Sequence, residues 1–435
     1  MNNLIERDLS HIWHPCSQMK DFERCPPFIV NEAKGSYLYT NRGPLIDAIS
    51  SWWCKSLGHG HPEILSAITR QMNRFEHVIG ANTTHEGIVE LGEMLAEITG
   101  NQRLFFASDG SCAVEIALKM ALQANQIKGM HHKNQFVSLK NSYHGETIAT
   151  LSVSDVGLYK APFEQYGLDC HFIEPVPYVK SQNDAEWHQC DKAWNQVLSQ
   201  LEPIKDTICA VIIEPILQGA GGMLCYSADF LKKLSLYCEY NDIYLISDEI
   251  MTGFGRTGEW LALDHAGVKA DMVCLSKGLT SGTLPLSVVC IDDGLYQLFY
   301  DDYETGKAFM HSHTYSGNAT AISAAIATLK IMKRDSIHLS AKELGHTMLN
   351  EFTHIANETG KLSNIRQIGA MVAGDLEPIE GRRVGFELYQ EALTQGAYLR
   401  PLGNTLYWMP PLNTSKIIIG NLAEITLNSI KGIYL

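Results

Sequence analysis

The chain has 435 residues, too many for one small hydrophobic core, which favours two domains or one large domain with extensions. Apolar residues make up 45% and charged residues 19% of the chain, a composition typical of a folded globular protein and not of a disordered one. The formal net charge of −14 argues against nucleic-acid binding through a basic face.

The pattern of apolar residues changes twice along the chain. The first 60 residues are rich in Pro, Trp and Gly and contain short β-like pieces such as Gly35–Thr40. Between about residues 100 and 330, short apolar runs alternate with helical patterns. The elements predicted there are, in chain order, the strand Arg103–Ala107, the helix Cys112–Ala124, the strands Gln135–Leu139 and Ile208–Ile213, the helix Phe230–Tyr240, and the strands Ile243–Ser247 and Asp271–Leu275. After about residue 335 a helical stretch is followed by the strand-like run Thr405–Met409.

Near-continuous apolar strands separated by helices predict an α/β fold with a mainly parallel sheet that is covered on both faces. We predict a large domain from residues 61–334. Residues 1–60 and 335–435 would form a smaller α+β domain from both ends of the chain. In parallel sheets ligands bind beyond the carboxyl ends of the strands, which is where candidate functional residues are expected.

The cysteines and the first ten residues indicate the compartment in which the protein is found. Eleven cysteines are scattered without C-x-x-C spacing, which is typical of reduced thiols in a cytoplasm and not of a disulfide framework or a zinc ribbon. Met1–Ser10 carries charges and lacks the apolar core of a signal peptide. No apolar run approaches the ~18 residues that a membrane helix needs. We therefore expect a soluble, cytoplasmic protein that binds neither nucleic acid nor membranes.

Polar residues follow two of the predicted strands. Ser108–Ser111 opens a helix, where free backbone N–H groups and the helix dipole favour an anion, although ordinary N-capping is the commoner role of such residues. Asp248 and Glu249 follow the strand Ile243–Ser247. A buried carboxylate needs a partner, which could be a protonated heterocyclic nitrogen, a basic side chain or a metal ion.

Lys277 follows the strand Asp271–Leu275 and precedes a glycine, at the ligand-binding edge of the sheet. Most lysines are solvated surface charges. A lysine in a partly desolvated pocket, however, has a lowered pKa and becomes a nucleophile for Schiff-base chemistry. Pyridoxal phosphate (PLP) requires N–H groups for its phosphate, a carboxylate for its ring nitrogen and an amine for its aldehyde. The three strand ends together supply these groups.

Two other kinds of site are compatible with parts of the sequence. Gly253–Gly258 (GFGRTG) is a literal G-x-G-x-x-G, a pattern found in NAD-binding oxidoreductases. Against that alternative, it does not directly follow its strand, and Asp248 and Glu249 intervene and would repel a pyrophosphate. The pairs His131-His132 and His311-x-His313 lack a third ligand at a suitable spacing, so we expect no metal site.

Eight segments resemble those of the class III aminotransferases, which have fold type I, and they occur in the family's order. They are His11–Pro15 (HIWHP), Ser50–Trp53 (SSWW), Lys140–Thr147 (KNSYHGET), Ile212–Met223 (IIEPILQGAGGM), Asp248–Gly258 (DEIMTGFGRTG), Leu275–Ser287 (LSKGLTSGTLPLS), Phe309–Asn318 (FMHSHTYSGN) and Leu399–Pro411 (LRPLGNTLYWMPP). The resemblance covers nearly the whole chain and is greatest to the members of biotin synthesis. It implies a homodimer with PLP that uses S-adenosylmethionine as amino donor and 8-amino-7-oxononanoate as acceptor. Another ω-aminotransferase, or a lysine-using variant, is the alternative.

The resemblance also implies roles for individual residues. Lys277 and Asp248 would be catalytic, Lys277 as the Schiff-base lysine that moves a proton and Asp248 as the partner of the ring nitrogen. The residues that would also bind the cofactor are Gly110 and Ser111 at the phosphate, Tyr143 stacked on the ring, and Thr314 and His313 from a second copy of the chain. Substrate would be bound by Trp52, Tyr143, Lys277, Ser312, Arg400 and Cys16.

Arg400 would form a two-pronged contact with the substrate carboxylate, a geometry that lysine does not offer. Core packing is the alternative role for the aromatic side chains of Tyr143 and Trp52. Arg256 is expected to brace its loop more than to contact substrate.

Three positions depart from the family pattern. Cys16 stands where the family motif W-H-P-Y-T has a tyrosine that directs its hydroxyl towards substrate. Met251 stands where many relatives have Gln and biotin-pathway members have a small residue, and Ser312–Thr314 replaces a G-P-T or G-H-S run. A thiol is a weak hydrogen-bond donor. If Cys16 lies at the substrate and does not merely pack beside Pro15, either water or a nearby group replaces the missing hydroxyl or the enzyme is slower than its relatives. We expect partial compensation by water.

Overall fold

The structure is a computed structural model and describes residues 2–434. Its strands are β1 (Val30–Lys34), β2 (Tyr37–Thr40), β3 (Gly43–Asp47), β4 (Arg103–Ala107), β5 (Gln135–Leu139), β6 (Cys170–Ile173), β7 (Tyr178–Val179), β8 (Ile208–Ile213), β9 (Leu217–Gln218), β10 (Leu224–Tyr226), β11 (Tyr244–Asp248), β12 (Met272–Leu275), β13 (Ser287–Ile291), β14 (Leu362–Ile368), β15 (Met371–Leu376), β16 (Ala397–Tyr398) and β17 (Thr405–Trp408).

The helices are α1 (Asn2–His11), α2 (Ser50–Trp53), α3 (Pro62–Met72), α4 (Glu86–Thr99), α5 (Gly110–Ile127), α6 (Ile148–Ser152), α7 (Ala185–His188), α8 (Asp191–Leu201), α9 (Ala228–Tyr240), α10 (Asp293–Phe299), α11 (Ala319–Arg334), α12 (Ile337–Thr359), α13 (Val384–Gln395) and α14 (Lys416–Tyr434). Short 3₁₀ turns include Gly157–Tyr159, Ala161–Tyr166 and Lys277–Thr280. None of these described helices is long and apolar enough to cross a bilayer.

The largest sheet has seven strands in the order β4-β13-β12-β11-β8-β5-β6. β13 runs antiparallel to both of its neighbours, and the other neighbouring strands pair in parallel. Every residue of β8, β11, β12 and β13 is buried, which explains why these strands read as continuous apolar runs. Helix α5 packs against β8, β11, β12 and β13, while α9 contacts β11. The predicted α/β fold with a mainly parallel sheet is confirmed.

Smaller sheets flank this core. One has the order β1-β2-β3-β16, and β16 pairs in parallel with β3, so the two ends of the chain share a sheet. Another has the order β14-β15-β17 and packs against α12. The division into residues 1–60, 61–334 and 335–435 stays a prediction, and the shared sheet is what that division leads one to expect.

The topology brings three strand ends to one edge of the large sheet. β4, β11 and β12 are parallel to one another, because β13 between β4 and β12 reverses the direction twice. Asp248 is the last residue of β11, Lys277 follows β12 after one residue, and Gly110 opens α5 just beyond β4. The candidate residues therefore lie at one edge, as expected for a parallel sheet.

Candidate active site

A cavity of about 390 Å³ lies at this edge of the sheet. Five of the predicted site residues line it: Gly110, Ser111, Tyr143, Asp248 and Lys277. The rest of the lining comes from Trp53, Cys54, Ser108, Asp109, His144, Gly145, Glu214, Ile250, Met251, Ser276, Thr280, Gly282, Leu284, Pro285 and Leu286.

Lys277 begins a 3₁₀ turn at the end of β12, and its backbone has a φ of 40°. Its Nζ lies 4.8 Å from the centre of the Trp53 ring, against which the ammonium or amine can rest. A Cβ at the next residue, Gly278, would come within 2.9 Å of Ser56 Oγ, so this close turn needs glycine. Desolvation by burial lowers the pKa of Lys277, which favours the neutral, nucleophilic amine.

Asp248 is buried and held by two hydrogen bonds. The ring N–H at Nδ1 of His144 donates to Asp248 Oδ2 over 2.8 Å, and the Ile250 amide donates to Oδ1 over 3.1 Å. His144 is itself buried, and its own amide donates to Ser154 Oγ over 2.9 Å. The imidazole thus fixes the orientation of the carboxylate at the end of β11. Sequence reasoning assigned no role to His144, although it directly follows Tyr143 in a motif that was singled out.

Glu214 and Glu249 are both buried, but only Glu214 lines the cavity. Glu214 lines the cavity and accepts hydrogen bonds from the amides of Tyr143 and Gly219, each over 2.9 Å. Burial raises the pKa of Glu214 to about 7. Glu249 accepts from Thr252 Oγ1 and from the Leu263 amide and does not line the cavity, and burial raises its pKa to about 7 as well. Of the Asp248-Glu249 pair, only Asp248 faces the site.

The amino end of α5 forms one wall of the cavity. Asp109 caps the helix, and its Oδ1 accepts from the Cys112 amide over 3.1 Å. Within residues 2–434 the amides of Gly110 and Ser111 have no hydrogen-bond acceptor, so both remain free for an anion. A Cβ at Gly110 would come within 3.0 Å of Ile250 Cδ1, so a side chain would have to displace the wall.

These residues fit PLP. The free amides suit a phosphate, Asp248 suits a protonated ring nitrogen, and Lys277 offers an amine in a desolvated setting. Tyr143 lines the same cavity, and its hydroxyl donates to Glu146 Oε1 over 3.0 Å. Burial raises the pKa of Tyr143, and the neighbouring Glu146 carboxylate raises it further.

The short segment α2 (Ser50–Trp53) is a left-handed turn that lies between this cavity and a second one. Ser50, Ser51, Trp52 and Trp53 have φ values of 51°, 45°, 72° and 71°, a conformation that costs roughly 1–2 kcal/mol per non-glycine residue. Buried Asp47 offsets part of this cost, because it accepts from the Ser51 amide (3.0 Å), from Ser51 Oγ (2.8 Å) and from His59 Nε2 (2.8 Å). The turn places Trp53 in the wall of the first cavity and Trp52 in that of the second.

The second cavity, of about 660 Å³, contains three more of the predicted residues: Cys16, Trp52 and Arg400. The Arg400 guanidinium carbon lies 4.0 Å from the centre of the Trp52 ring, and Nη2 donates to the Cys16 carbonyl over 3.1 Å. The guanidinium is thus held over the indole next to Cys16.

Three predicted residues lie elsewhere. Ser312, His313 and Thr314 line neither cavity. The Thr314 carbonyl accepts from His77 Nε2 over 2.8 Å, and His313 Nε2 lies 2.9 Å from His311 Nε2. A single chain therefore does not bring this segment to the amino end of α5, and its assignment stays a prediction that depends on a second copy.

Gly253–Gly258 does not have the geometry of a dinucleotide-binding site, and the described residues contain no metal-binding cluster. These six residues form turns and do not begin a helix, which a dinucleotide site of this kind requires. Arg256 is buried, and its Nη1 donates to the carbonyls of Ala370 (3.1 Å) and Pro410 (2.8 Å). Burial lowers the pKa of Arg256 to about 9. In residues 2–434 no three His, Cys, Asp or Glu side chains are grouped to bind a metal ion.

Known proteins match the chain over almost its whole length. A family model described as aminotransferase class-III matches residues 19–430. The adenosylmethionine-8-amino-7-oxononanoate aminotransferase of Helicobacter pylori is 39% identical over 414 residues, which cover 94% of this chain and 93% of the relative. The crystal structure of the aminotransferase of the same name from Methanocaldococcus jannaschii has a TM-score of 0.93 and 30% identity, with 100% of each chain covered. A PLP-bound amine transaminase from an uncultivated Pseudomonas species has a TM-score of 0.89 and 28% identity, covering 97% of this chain and 99% of that one.

Proposed function

The chain belongs to the class III aminotransferases, and from that membership we propose that it transfers an amino group from S-adenosylmethionine to 8-amino-7-oxononanoate, giving 7,8-diaminononanoate for biotin synthesis. It is a PLP-dependent aminotransferase of fold type I. The observation that carries the reaction type is the convergence of Lys277, Asp248 and the amino end of α5 on one cavity. The relatives named for this pair of substrates support the choice of substrates.

We propose that PLP is held at its phosphate, at its ring nitrogen and on one face of its ring. Gly110 and Ser111 would bind the phosphate through their free amides, and Asp248 would hold the proton on the ring nitrogen. Tyr143 would stack on the ring, a contact worth about 0.5–1.5 kcal/mol beyond burial. When bound, PLP supplies an electron sink and carries the amino group from donor to acceptor.

Side chains of the protein would transfer the substrate proton and hold the cofactor-binding residues in position. Lys277 Nζ would take the proton from the substrate carbon and return it, and burial, which lowers its pKa, favours the neutral amine that this step needs. His144 holds Asp248 at 2.8 Å and so keeps the carboxylate directed towards the ring nitrogen. Glu214 fixes the main chain of Tyr143, which sets the position of the stacking ring.

A half-reaction with each amine offered separately tests the choice of donor. S-adenosylmethionine should convert the cofactor to its amine form, as followed by absorbance, while lysine, ornithine and 4-aminobutyrate should not. The enzyme loaded in this way should then aminate 8-amino-7-oxononanoate. Conversion by lysine alone would identify a lysine-using variant, and conversion by 4-aminobutyrate would identify another ω-aminotransferase.

Arg400 is our candidate for binding the carboxylate of the oxo acid. Because charge-assisted hydrogen bonds contribute about 1.5–3 kcal/mol, Arg400→Ala should lower kcat/KM for the oxo acid about ten- to a hundredfold. The donor half-reaction should change much less. Arg400→Lys, which keeps the charge but loses the planar fork, should give an intermediate loss. Equal losses in both half-reactions would indicate a structural role for Arg400.

We further propose that the enzyme is a homodimer that works in the cytoplasm. Thr314, with His313 and Ser312 beside it, would reach the phosphate and substrate end of the site in the opposite copy. The segment Phe309–Asn318 is accessible for such a contact, since Met310 and Tyr315 are 85% and 61% exposed. All eleven cysteines are free thiols, which supports a reducing compartment.

A mixed dimer tests the shared site. Thr314→Glu and Lys277→Ala should each be inactive alone, since the first repels the phosphate and the second removes the amine. After mixing and re-pairing, half of the dimers are hybrids with one intact site each, so about a quarter of the wild-type activity should return. Sedimentation confirms that both variants remain dimers. No recovery in verified hybrids would show that Thr314 does not act across the interface.

A further inference from the structure

Tyr159 lies beside Cys16, a residue that lines the second cavity. It ends the 3₁₀ turn Gly157–Tyr159, and its hydroxyl is 3.3 Å from Cys16 Sγ, although the two residues are 143 positions apart. Tyr159 is 46% exposed, so part of this residue is open to a ligand. A phenol can donate one hydrogen bond and accept another at the same time.

Cys16 connects this phenol to the predicted substrate contacts. Its carbonyl accepts from Arg400 Nη2 at 3.1 Å, and the same guanidinium rests on the Trp52 ring. The Tyr159 hydroxyl and the Arg400 fork are therefore both within hydrogen-bond range of Cys16, which lines the second cavity together with Arg400 and Trp52.

Tyr159 shares the Glu146 carboxylate as an electrostatic neighbour with Tyr143, which lines the first cavity. The hydrogen bond with Cys16 raises the pKa of Tyr159 to about 12, burial and the Glu146 carboxylate add to the rise, and Arg400 opposes it. Tyr159 in turn makes a small contribution to the raised pKa of Tyr143, which stands in the wall of the Lys277 cavity. With a pKa of about 12 the phenol is protonated at neutral pH, so its hydroxyl has one proton to donate.

We propose that Tyr159 is a further substrate-positioning residue, whose hydroxyl donates a hydrogen bond to the oxo acid between its carboxylate at Arg400 and its reacting carbon at Lys277. The inference rests on the proposed function and adds a residue to its site. The Cys16 thiol is too weak a donor for this task. Without substrate the phenol donates to Cys16 Sγ, and with the oxo acid bound its O–H turns to the substrate while the thiol donates to the phenol oxygen. In this arrangement a nearby side chain, and not water, provides a hydroxyl next to position 16.

Tyr159→Phe removes the hydroxyl and keeps the ring. We expect kcat/KM for 8-amino-7-oxononanoate to fall about three- to tenfold, the range that one neutral hydrogen bond implies. The donor half-reaction should change less than twofold, and the absorbance of the bound cofactor should not change. Tyr166→Phe is the matched control, since Tyr166 is 65% exposed in the following 3₁₀ turn and should behave as wild type. A Tyr159→Phe enzyme within twofold of wild type, or one equally impaired in both half-reactions, overturns the proposal.

Moving the hydroxyl to its neighbour gives a second test. The double variant Cys16→Tyr/Tyr159→Phe carries a phenol at position 16 and should regain most of the oxo-acid kcat/KM lost in Tyr159→Phe. A double variant with an unchanged cofactor spectrum but no recovery would count against a hydroxyl role. Wild-type enzyme is assayed first. If it rejects 8-amino-7-oxononanoate but aminates another oxo acid, the proposed substrate is wrong, and the same variants are compared on that oxo acid.

Discussion

Lys277→Ala should abolish transamination and remove the visible absorbance of the lysine-bound cofactor. The cavity places one lysine amine next to Asp248 and the free amides of α5, and burial lowers the pKa of that amine. Without it no Schiff base can form with the protein, and no group remains to move the substrate proton. The loss should therefore amount to several orders of magnitude in kcat, with the fold intact by circular dichroism.

Lys140→Ala is the control for this loss. Lys140 also belongs to one of the eight segments that resemble the family, but its side chain is 47% exposed and pairs with Asp155 at 3.2 Å, so its removal should leave turnover near wild type. Borohydride reduction gives a readout that does not depend on turnover. It should fix the cofactor on the peptide that contains Lys277 in the wild type and in Lys140→Ala. Attachment at any other lysine, or an active Lys277→Ala enzyme, would contradict the assignment.

The strand ends of the large sheet could be predicted because buried parallel strands leave an unmistakable apolar run. The strands at Arg103–Ala107, Gln135–Leu139 and Ile208–Ile213 occur with the bounds that the sequence predicts. β13 and β6 were not predicted. β13 is as apolar as the strands that were predicted. A run of apolar residues carries no information on strand direction, however. The antiparallel pairing of β13 with β4 and β12 is decided by the chain connections.

The turn at Ser50–Trp53 was beyond prediction for a different reason. Local propensity opposes four successive non-glycine residues at positive φ. The turn exists because Asp47 and His59, with Ser51, form a buried network that only the folded chain assembles. The motif SSWW indicated that these residues matter, but not that one tryptophan would face each cavity.

The supporting residues of the site were also missed. His144 and Glu214 both belong to segments that resemble the family, yet their roles depend on which buried group each one meets after folding. A sequence places a carboxylate at a strand end, but it does not say which of two adjacent carboxylates turns inward. Here the alternation of side chains along the chain directs Asp248 into the cavity, while Glu249 bonds to Thr252 on the far side.

Asp248→Asn should lower kcat by several orders of magnitude while leaving the protein folded. An asparagine amide has nearly the same shape and can still accept from the Ile250 amide, which now donates to Asp248 Oδ1 over 3.1 Å. It carries no negative charge, however, and so cannot keep the proton on the cofactor ring nitrogen, which the electron sink requires. The rate of a single turnover with S-adenosylmethionine, measured with the cofactor content of each preparation, separates slow chemistry from lost cofactor.

Glu249→Gln is the matched control for Asp248→Asn, because it makes the same change of charge at the next residue. Glu249 is buried outside the cavity, and glutamine can still accept from the Leu263 amide. Burial already raises the pKa of Glu249 to about 7, so neutralising it should cost little at neutral pH. Activity should stay within a few-fold of wild type. If Asp248→Asn costs less than about tenfold, equivalent to ~1.4 kcal/mol of barrier, the carboxylate does not stabilise a protonated ring nitrogen during the reaction.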